Sequence, residues 1–133
     1  MIPDSEGLDA NSDGDIILHC AFNAVSSAIS GRSLGVYADK MFKKGIKDSK
    51  EYIGFVLGKM KKSGYEIENI SFSIEAKKPR LEQHHEKIIL SLSKILGLDS
   101  DRIGLTFTSG DDMTEFGRGK GMKCTSIALL RKK

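Results

Sequence analysis

ENISFSIEA, residues 68–76, carries the clearest structural pattern of the sequence, because apolar and polar side chains alternate along it. A period of two is that of a β-strand, whose side chains point alternately to the two faces of a sheet. The apolar set falls on one face and consists of Ile70, Phe72, Ile74 and Ala76. The stretch therefore predicts a strand with one buried and one polar face, closed by Lys77-Lys78-Pro79.

Three helices are predicted around this strand. The first covers residues 16–29, which follow the cap candidates at 12–15 and are apolar around most of the helix, so that a buried helix is expected. The second covers residues 48–62 and opens on a capping-box-like pair of acidic residues. The third covers residues 81–96, where Gly97 is placed to cap it in the left-handed conformation.

Two further strands complete the prediction. Apolar residues alternate over 103–107, and a second strand is expected over 122–130, with the glycine-rich segment 109–121 between them. The connection over 32–47 is rich in lysine and is expected to be irregular. Helices and strands in this order, without an internal repeat, predict one α+β domain over 1–133, with three helices covering one face of a small mixed sheet.

Charge excludes one class of partner. The chain has 133 residues with 21 Lys plus Arg against 18 Asp plus Glu, a net charge of +3. That falls short of the dense basic surface of a nucleic-acid-binding domain. The lysines between residues 40 and 62 lack interleaved aromatic residues for base stacking, so they are interpreted as a solvated face. No nucleic acid is expected as a partner.

Cysteine usage and hydropathy indicate the compartment. Cys20 and Cys124 are the two cysteines, and they form no CxxC motif, which favours two ordinary buried thiols in a reducing compartment. No apolar run approaches the roughly 20 residues of a membrane span, and residues 1–6 lack the features of a signal peptide. The sequence predicts a cytoplasmic protein with no membrane partner.

The histidines allow more than one interpretation. His19 lies one turn after Asp15 on the same helical face, so the spacing fits either a polar pair that opens toward a cleft or a core histidine with satisfied hydrogen bonds. His84 and His85 are adjacent, and adjacent helical residues point about 100° apart, so they are predicted to be surface residues and not a metal-binding pair.

Four separated segments are weak individually but specific together. The first holds Ile2-Pro3, Gly7-Leu8 and SDGD at 12–15 with His19, and the second is IEAKKPRL at 74–81. The third runs from Gly97-Leu98-Asp99 to Asp101-Arg102-Ile103, and the fourth holds GRG at 117–119 with Gly121 and ALL at 128–130. In their order and spacing they resemble the 2-C-methyl-D-erythritol 2,4-cyclodiphosphate synthase family over nearly the whole chain.

The resemblance implies a homotrimer with active sites between neighbouring subunits. Members of this family act in isoprenoid precursor biosynthesis, where they convert a cytidine-diphosphate ester of methylerythritol 2-phosphate into a cyclic diphosphate and release CMP. The substrate's own phosphate attacks its β-phosphorus, so the protein supplies positioning and charge neutralisation, with the help of divalent metals. A cytidine nucleotide or a phosphate is the implied ligand.

The resemblance also implies the site residues. The catalytic positions are Ser109 and Asp111, where the family has a threonine-rich run that ends in a magnesium-binding glutamate. The substrate-binding positions are Ser12, Asp13, Lys78, Arg80, Leu81 and Ser109. Arg118 and Lys120 would form a central anion site on the threefold axis. The metal ligands would be His19 for zinc and Asp111 for magnesium or manganese.

Several positions depart from the family pattern. The family holds zinc with an Asp-x-His pair on its first strand and a histidine on its first helix, and this chain is expected to begin after that strand. His19 then supplies one of three expected ligands, while Asn11, Asn23 and Arg32-Ser33 replace a histidine, an aspartate and an acidic turn. Weak zinc binding and little synthase activity are therefore expected. The alternative is a non-catalytic trimeric relative that binds nucleotide, isoprenoid phosphate or inorganic phosphate.

Overall fold

The computed structural model describes residues 12–37, 49–75, 83–108 and 123–133. Its helices and strands follow the predicted order: α1 Ser12–Ala28, α2 Ser49–Lys62, β1 Tyr65–Glu75, α3 His85–Leu96, β2 Ile103–Thr108 and β3 Lys123–Lys132. A 3₁₀ turn at Ser100–Arg102 precedes β2. None of the helices in the described part of the chain combines the length and hydrophobicity that a membrane span requires.

The three described strands form one mixed sheet in the order β2-β1-β3. β1 lies in the centre, parallel to β2 and antiparallel to β3. Phe72 is 1% exposed and Ile74 is fully buried, and both lie on the predicted core face of β1. The predicted α+β class and the one-sided burial of this strand are confirmed.

β1 begins earlier than the alternation indicated, because a bulge interrupts it. Ile67 pairs with Leu130 and Asn69 with Leu129, so Glu68 has no partner of its own in the ladder. The extra residue lets Ile67 and Ile70 face the same core despite their odd spacing, with 4% and 1% of their surface exposed.

The helices lie against one face of the sheet. α1 packs against β3 and α2, and α3 packs against β2. The other face is exposed along all three described strands, at Asn69, Ser71, Ser73, Gly104, Thr106, Thr125, Ile127 and Leu129. Ile127 and Leu129 are 69% and 55% exposed there, and their spacing of two places these two large apolar side chains next to each other on this face.

His85 is not the surface residue that the sequence predicted. Its ring is half-buried, and Nε2 lies 2.9 Å from the carbonyl oxygen of Leu105. The ring also meets Phe107 edge-on, with 6.2 Å between ring centroids. The packing of α3 on β2 turns this imidazole toward the strand. The prediction used only the position of His85 next to His84 in the sequence, which carries no information on this packing.

Residues 34–37 are helical, whereas the sequence predicted an irregular connection from residue 32 onward. Leu34 is buried to 7% exposure in the core. Its backbone N–H donates to Asn23 Oδ1 on α1 over 2.8 Å, which satisfies a donor that a helical turn leaves free. A tertiary contact, and not local propensity, therefore orders this turn. Arg32 and Ser33 are irregular as predicted, and residues 38–47 of the connection lie outside the described residues.

Gly97 ends α3 as predicted, in the left-handed conformation with φ 64° and ψ 41°. Its N–H and that of Leu98 both donate to the Ser93 carbonyl oxygen, which satisfies a terminal acceptor of the helix. A side chain at this position would meet no atom within 4 Å, so only the backbone conformation disfavours one.

We predict opposite effects for two glycine-to-alanine substitutions. Gly97→Ala should lower the free energy of unfolding by about 1 kcal/mol, because alanine is strained at positive φ. Gly54→Ala, within α2 where an added Cβ also meets nothing within 4 Å, should raise it by roughly 0.5–1 kcal/mol through helix propensity. Urea denaturation at one fixed protein concentration measures both. Equal changes in the two variants would contradict the assignment of the Gly97 cap.

Candidate functional site

A cleft of ≈ 670 Å³ opens between α1 and β3. β3 is the last strand in the order of the described sheet, so the cleft lies at the side of the fold. The lining residues come from one face of α1 and from five successive residues of β3: Ile16, His19, Cys20, Asn23, Ala24, Ser27, Ala28 and Cys124, Thr125, Ser126, Ile127, Ala128. A volume of this size is typical of small-molecule sites.

The periodicity of α1 explains why it can serve both the core and the cleft. One face is buried and holds Ile17, Leu18, Ala21, Phe22 and Val25. The cleft-lining residues recur at steps of three and four along the opposite side, as one helical face requires. The sequence predicted a helix buried on most sides, whereas the structure buries one face and leaves the other open to the cleft.

His19 is exposed and lies on the cleft face of α1. This excludes the interpretation of His19 as a core histidine and leaves the one in which it opens toward a cleft. Ser12 and Asp13 lie in the first turn of α1, but their side chains, like that of Asp15, fall outside the described residues. The described structure thus places the helix N-terminus and His19 on one element, about two turns apart.

The described side chains do not make a zinc site by themselves. Within the described ranges, no three His, Cys, Asp or Glu side chains come together in a way that could hold a metal ion. Zinc in a catalytic site normally takes three protein ligands, and His19 alone belongs to the ligand set that the family resemblance implies.

Cys20 and Cys124 meet at the cleft. Both are free thiols and half-buried, and the Cys20 thiol donates a hydrogen bond to the Cys124 carbonyl oxygen over 3.2 Å. A hydrogen bond from the Cys124 thiol lowers the pKa of Cys20, against the opposing effect of burial. The same bond, together with burial, raises the pKa of Cys124. The thiols are free, as expected, but the sequence did not show that they touch.

Asn23 ties the turn at 34–37 to α1 through the 2.8 Å hydrogen bond from the Leu34 N–H. Two further contacts hold the same turn, from Ser26 Oγ to the Arg32 carbonyl oxygen (2.5 Å) and from the Arg32 N–H to the Tyr37 hydroxyl oxygen (3.0 Å). The sequence identified Asn23 only as the loss of a titratable group. The structure shows that Asn23 lines the cleft and that its amide oxygen holds the turn at 34–37.

Ser126 is a cleft residue that the sequence did not single out. Its Oγ is buried and has no hydrogen-bond partner within the described residues. Buried hydroxyls are normally satisfied, so this oxygen is available to hydrogen-bond a polar group that enters the cleft. The period of two along β3 could have placed Ser126 on the cleft side, because Cys124, Ser126 and Ala128 share the face that meets α1.

The remaining site residues predicted from the sequence lie outside the described residues. They are Lys78, Arg80 and Leu81 after β1, Ser109 and Asp111 after β2, and Arg118 and Lys120 before β3. The described ends of β1 and β2 are neighbours, because Glu75 pairs with Thr108 in the parallel ladder. The segments that follow these strands therefore start next to each other.

Comparison with known proteins identifies relatives along the whole domain. The sequence profile of the YgbB family matches residues 1–131. A 2-C-methyl-D-erythritol 2,4-cyclodiphosphate synthase of Chlamydia caviae is 35% identical over 131 residues, which cover 98% of this chain and 74% of the relative.

Solved structures of similar fold belong to proteins of the same kind as these sequence relatives. The bifunctional IspDF from Campylobacter jejuni superimposes with a TM-score of 0.81 at 28% identity, over 96% of this chain and 35% of that one. IspF from Plasmodium falciparum, solved as a CDP complex, gives a TM-score of 0.80 at 23% identity, over 93% of this chain and 75% of that one. The second likeness concerns the fold alone.

We predict that Asn23→Ala lowers the free energy of unfolding by about 1 kcal/mol, because the Leu34 N–H loses its acceptor. The matched variant Asn23→Asp keeps an oxygen at this position and should stay within a few tenths of a kcal/mol of the wild type. Denaturation curves and hydrogen exchange of the Leu34 amide measure the effect. Unchanged exchange at Leu34 in Asn23→Ala would contradict the role assigned to Asn23.

Proposed function

The chain belongs to the YgbB family of 2-C-methyl-D-erythritol 2,4-cyclodiphosphate synthases, which act in isoprenoid biosynthesis, and on this basis we propose that it catalyses the family reaction at the cleft between α1 and β3. A cytidine-diphosphate ester of methylerythritol 2-phosphate is the proposed substrate, and a cyclic diphosphate and CMP are the products. Turnover is proposed to be reduced relative to members that retain the aspartate replaced here by Asn23.

One observation supports the proposal above the others. His19, the α1 position that matches the family's histidine, is exposed in a cleft large enough for a phosphorylated ligand. The Plasmodium falciparum relative of similar fold was solved with CDP, and we propose a ligand of the same class for this chain.

The chemistry needs positioning more than a reactive side chain. The 2-phosphate of the substrate attacks its own β-phosphorus, the bond from that phosphorus to the bridging oxygen breaks, and CMP leaves with the oxygen and its electrons. The imidazole of His19 would donate a hydrogen bond to a phosphate oxygen. The free N–H groups in the first turn of α1, at Ser12 and Asp13, would bind a second anionic group.

The other parts of the proposed site rest on the family pattern. Lys78, Arg80 and Leu81 would contact the cytosine, and Ser109 and Asp111 would contact the diphosphate. Magnesium or manganese is proposed at Asp111. Zinc at His19 would require ligands beyond the described side chains.

A homotrimer is the proposed assembly, in the cytoplasm. The bare sheet face supports it, because Ile127 and Leu129 expose 69% and 55% of their surface beside small polar residues that permit close approach. Three copies of this face around one axis would bury the apolar strip and bring Arg118 and Lys120 near that axis as a central anion site.

We predict that the purified protein releases CMP from the substrate when zinc and magnesium are supplied, and that His19→Ala lowers kcat/KM by at least about tenfold. The loss of a hydrogen bond to a charged phosphate accounts for that magnitude. His84→Gln removes an imidazole outside the cleft and should leave kcat/KM within about twofold of the wild type. No CMP release from the wild type, or equal rates for His19→Ala, would overturn the proposal.

We predict a solution mass near three times the 14.6 kDa of the chain, measured by light scattering. Leu129→Lys should shift the mass toward one chain, because it buries an unpaired charge in the proposed interface. Leu90→Lys is the matched control, since Leu90 is 57% exposed on α3, away from this sheet face. A wild-type monomer, or equal masses for the two variants, would count against the trimer.

A further inference from the structure

The fold brings together the two cysteines of the chain from 104 residues apart. Cys20 lies on α1 and Cys124 lies near the start of β3. The Cys20 thiol points at the Cys124 backbone, with Sγ 3.2 Å from the carbonyl oxygen. The two cysteines thus belong to one packing contact, in which the thiols also share a hydrogen bond, and rotation about χ1 changes where each sulfur points.

The pair is also accessible. Both residues line the cleft and are half-buried, so a small oxidant can reach them without unfolding of the domain. Neither thiol has a role in the reaction proposed above.

We propose that Cys20 and Cys124 are a reversible redox site, at which a peroxide converts the two thiols to a disulfide that joins α1 to β3 across the cleft. In the first step the sulfur of Cys20 attacks one peroxide oxygen, the O–O bond breaks, and water leaves as a sulfenic acid forms. In the second step the sulfur of Cys124 attacks the sulfenic sulfur and a second water leaves. The two sulfurs lose two electrons to the peroxide, and a dithiol restores them.

The position of the bond gives it consequences for the cleft. Cys20 follows His19 directly on α1, so the disulfide would fix this part of the helix against β3. The bond would also close a loop of more than a hundred residues, and such loops gain most from a cross-link in the chain-entropy account. The oxidised protein should therefore have a higher melting temperature than the reduced one.

The full chain, reduced and then treated with a small excess of hydrogen peroxide, provides the test. The expected product is lighter by two hydrogen atoms, carries no alkylatable thiol, and yields one peptide pair that links residues 20 and 124 within a single chain. Dithiothreitol should return both thiols, and the melting temperature should rise on oxidation and fall again on reduction.

A relocated thiol provides the matched control. The double variant Cys20→Ser, Ser27→Cys keeps two cysteines that line the cleft but moves the thiol on α1 by about 10 Å along the helix axis. It should form no intrachain bond under the same conditions. The proposal is overturned if the wild type forms only intermolecular disulfides or sulfinic acid, or if the relocated pair forms its bond at the wild-type rate.

Discussion

The side of α1 that holds Ile17, Phe22 and Val25 is fully buried in the core that the helix shares with the sheet and α2. Full burial of one such side chain stabilises a fold by about 1.5–3 kcal/mol. A shift of α1 by one residue would rotate this face by about 100° and expose it, so its orientation is fixed by energies that exceed those of any single polar contact. The opposite face, which carries His19, is therefore held in place by the core.

The same constraint explains how the cleft and the proposed assembly surface can belong to one small domain. Because the helices cover one face of the sheet, α1 meets the inward side of β3, and the cleft lies between these two elements. The outward side of β3 keeps Ile127 and Leu129 in contact with solvent in the isolated chain. Cys124, Ser126 and Ala128 of β3 share the side that meets α1, while Ile127, which also lines the cleft, lies with Leu129 on the exposed side proposed as an interface.

Much of the fold could be predicted from the sequence, because local patterns determine it. The alternation around Phe72 predicted a strand with one buried face, which the structure confirms. Gly97 predicted the end of α3, which the structure also confirms. Ile67 was missed because a bulge breaks the period of two. The helical turn at 34–37 was missed because its cap comes from Asn23, on another element.

The candidate site was less predictable, since it depends on which elements meet. The spacing between Asp15 and His19 allowed both a core and a cleft position for the histidine, and the packing of α1 places it at the cleft. Cys20 and Cys124 meet only because α1 crosses β3, and no motif in the sequence links them. Ser126 stands out because its hydroxyl is buried without a hydrogen-bond partner among the described residues, and burial is a property of the folded chain that the sequence does not show.

Titration of the isotope-labelled protein with CDP, followed by NMR, tests most directly whether the cleft between α1 and β3 binds the ligand. If CDP binds there, saturable shifts are expected at the His19 imidazole and at amides of α1 and β3 that face the cleft, with little change along the solvent-facing side of α3. Saturation with CDP that leaves His19 and the cleft residues of β3 unshifted would contradict it.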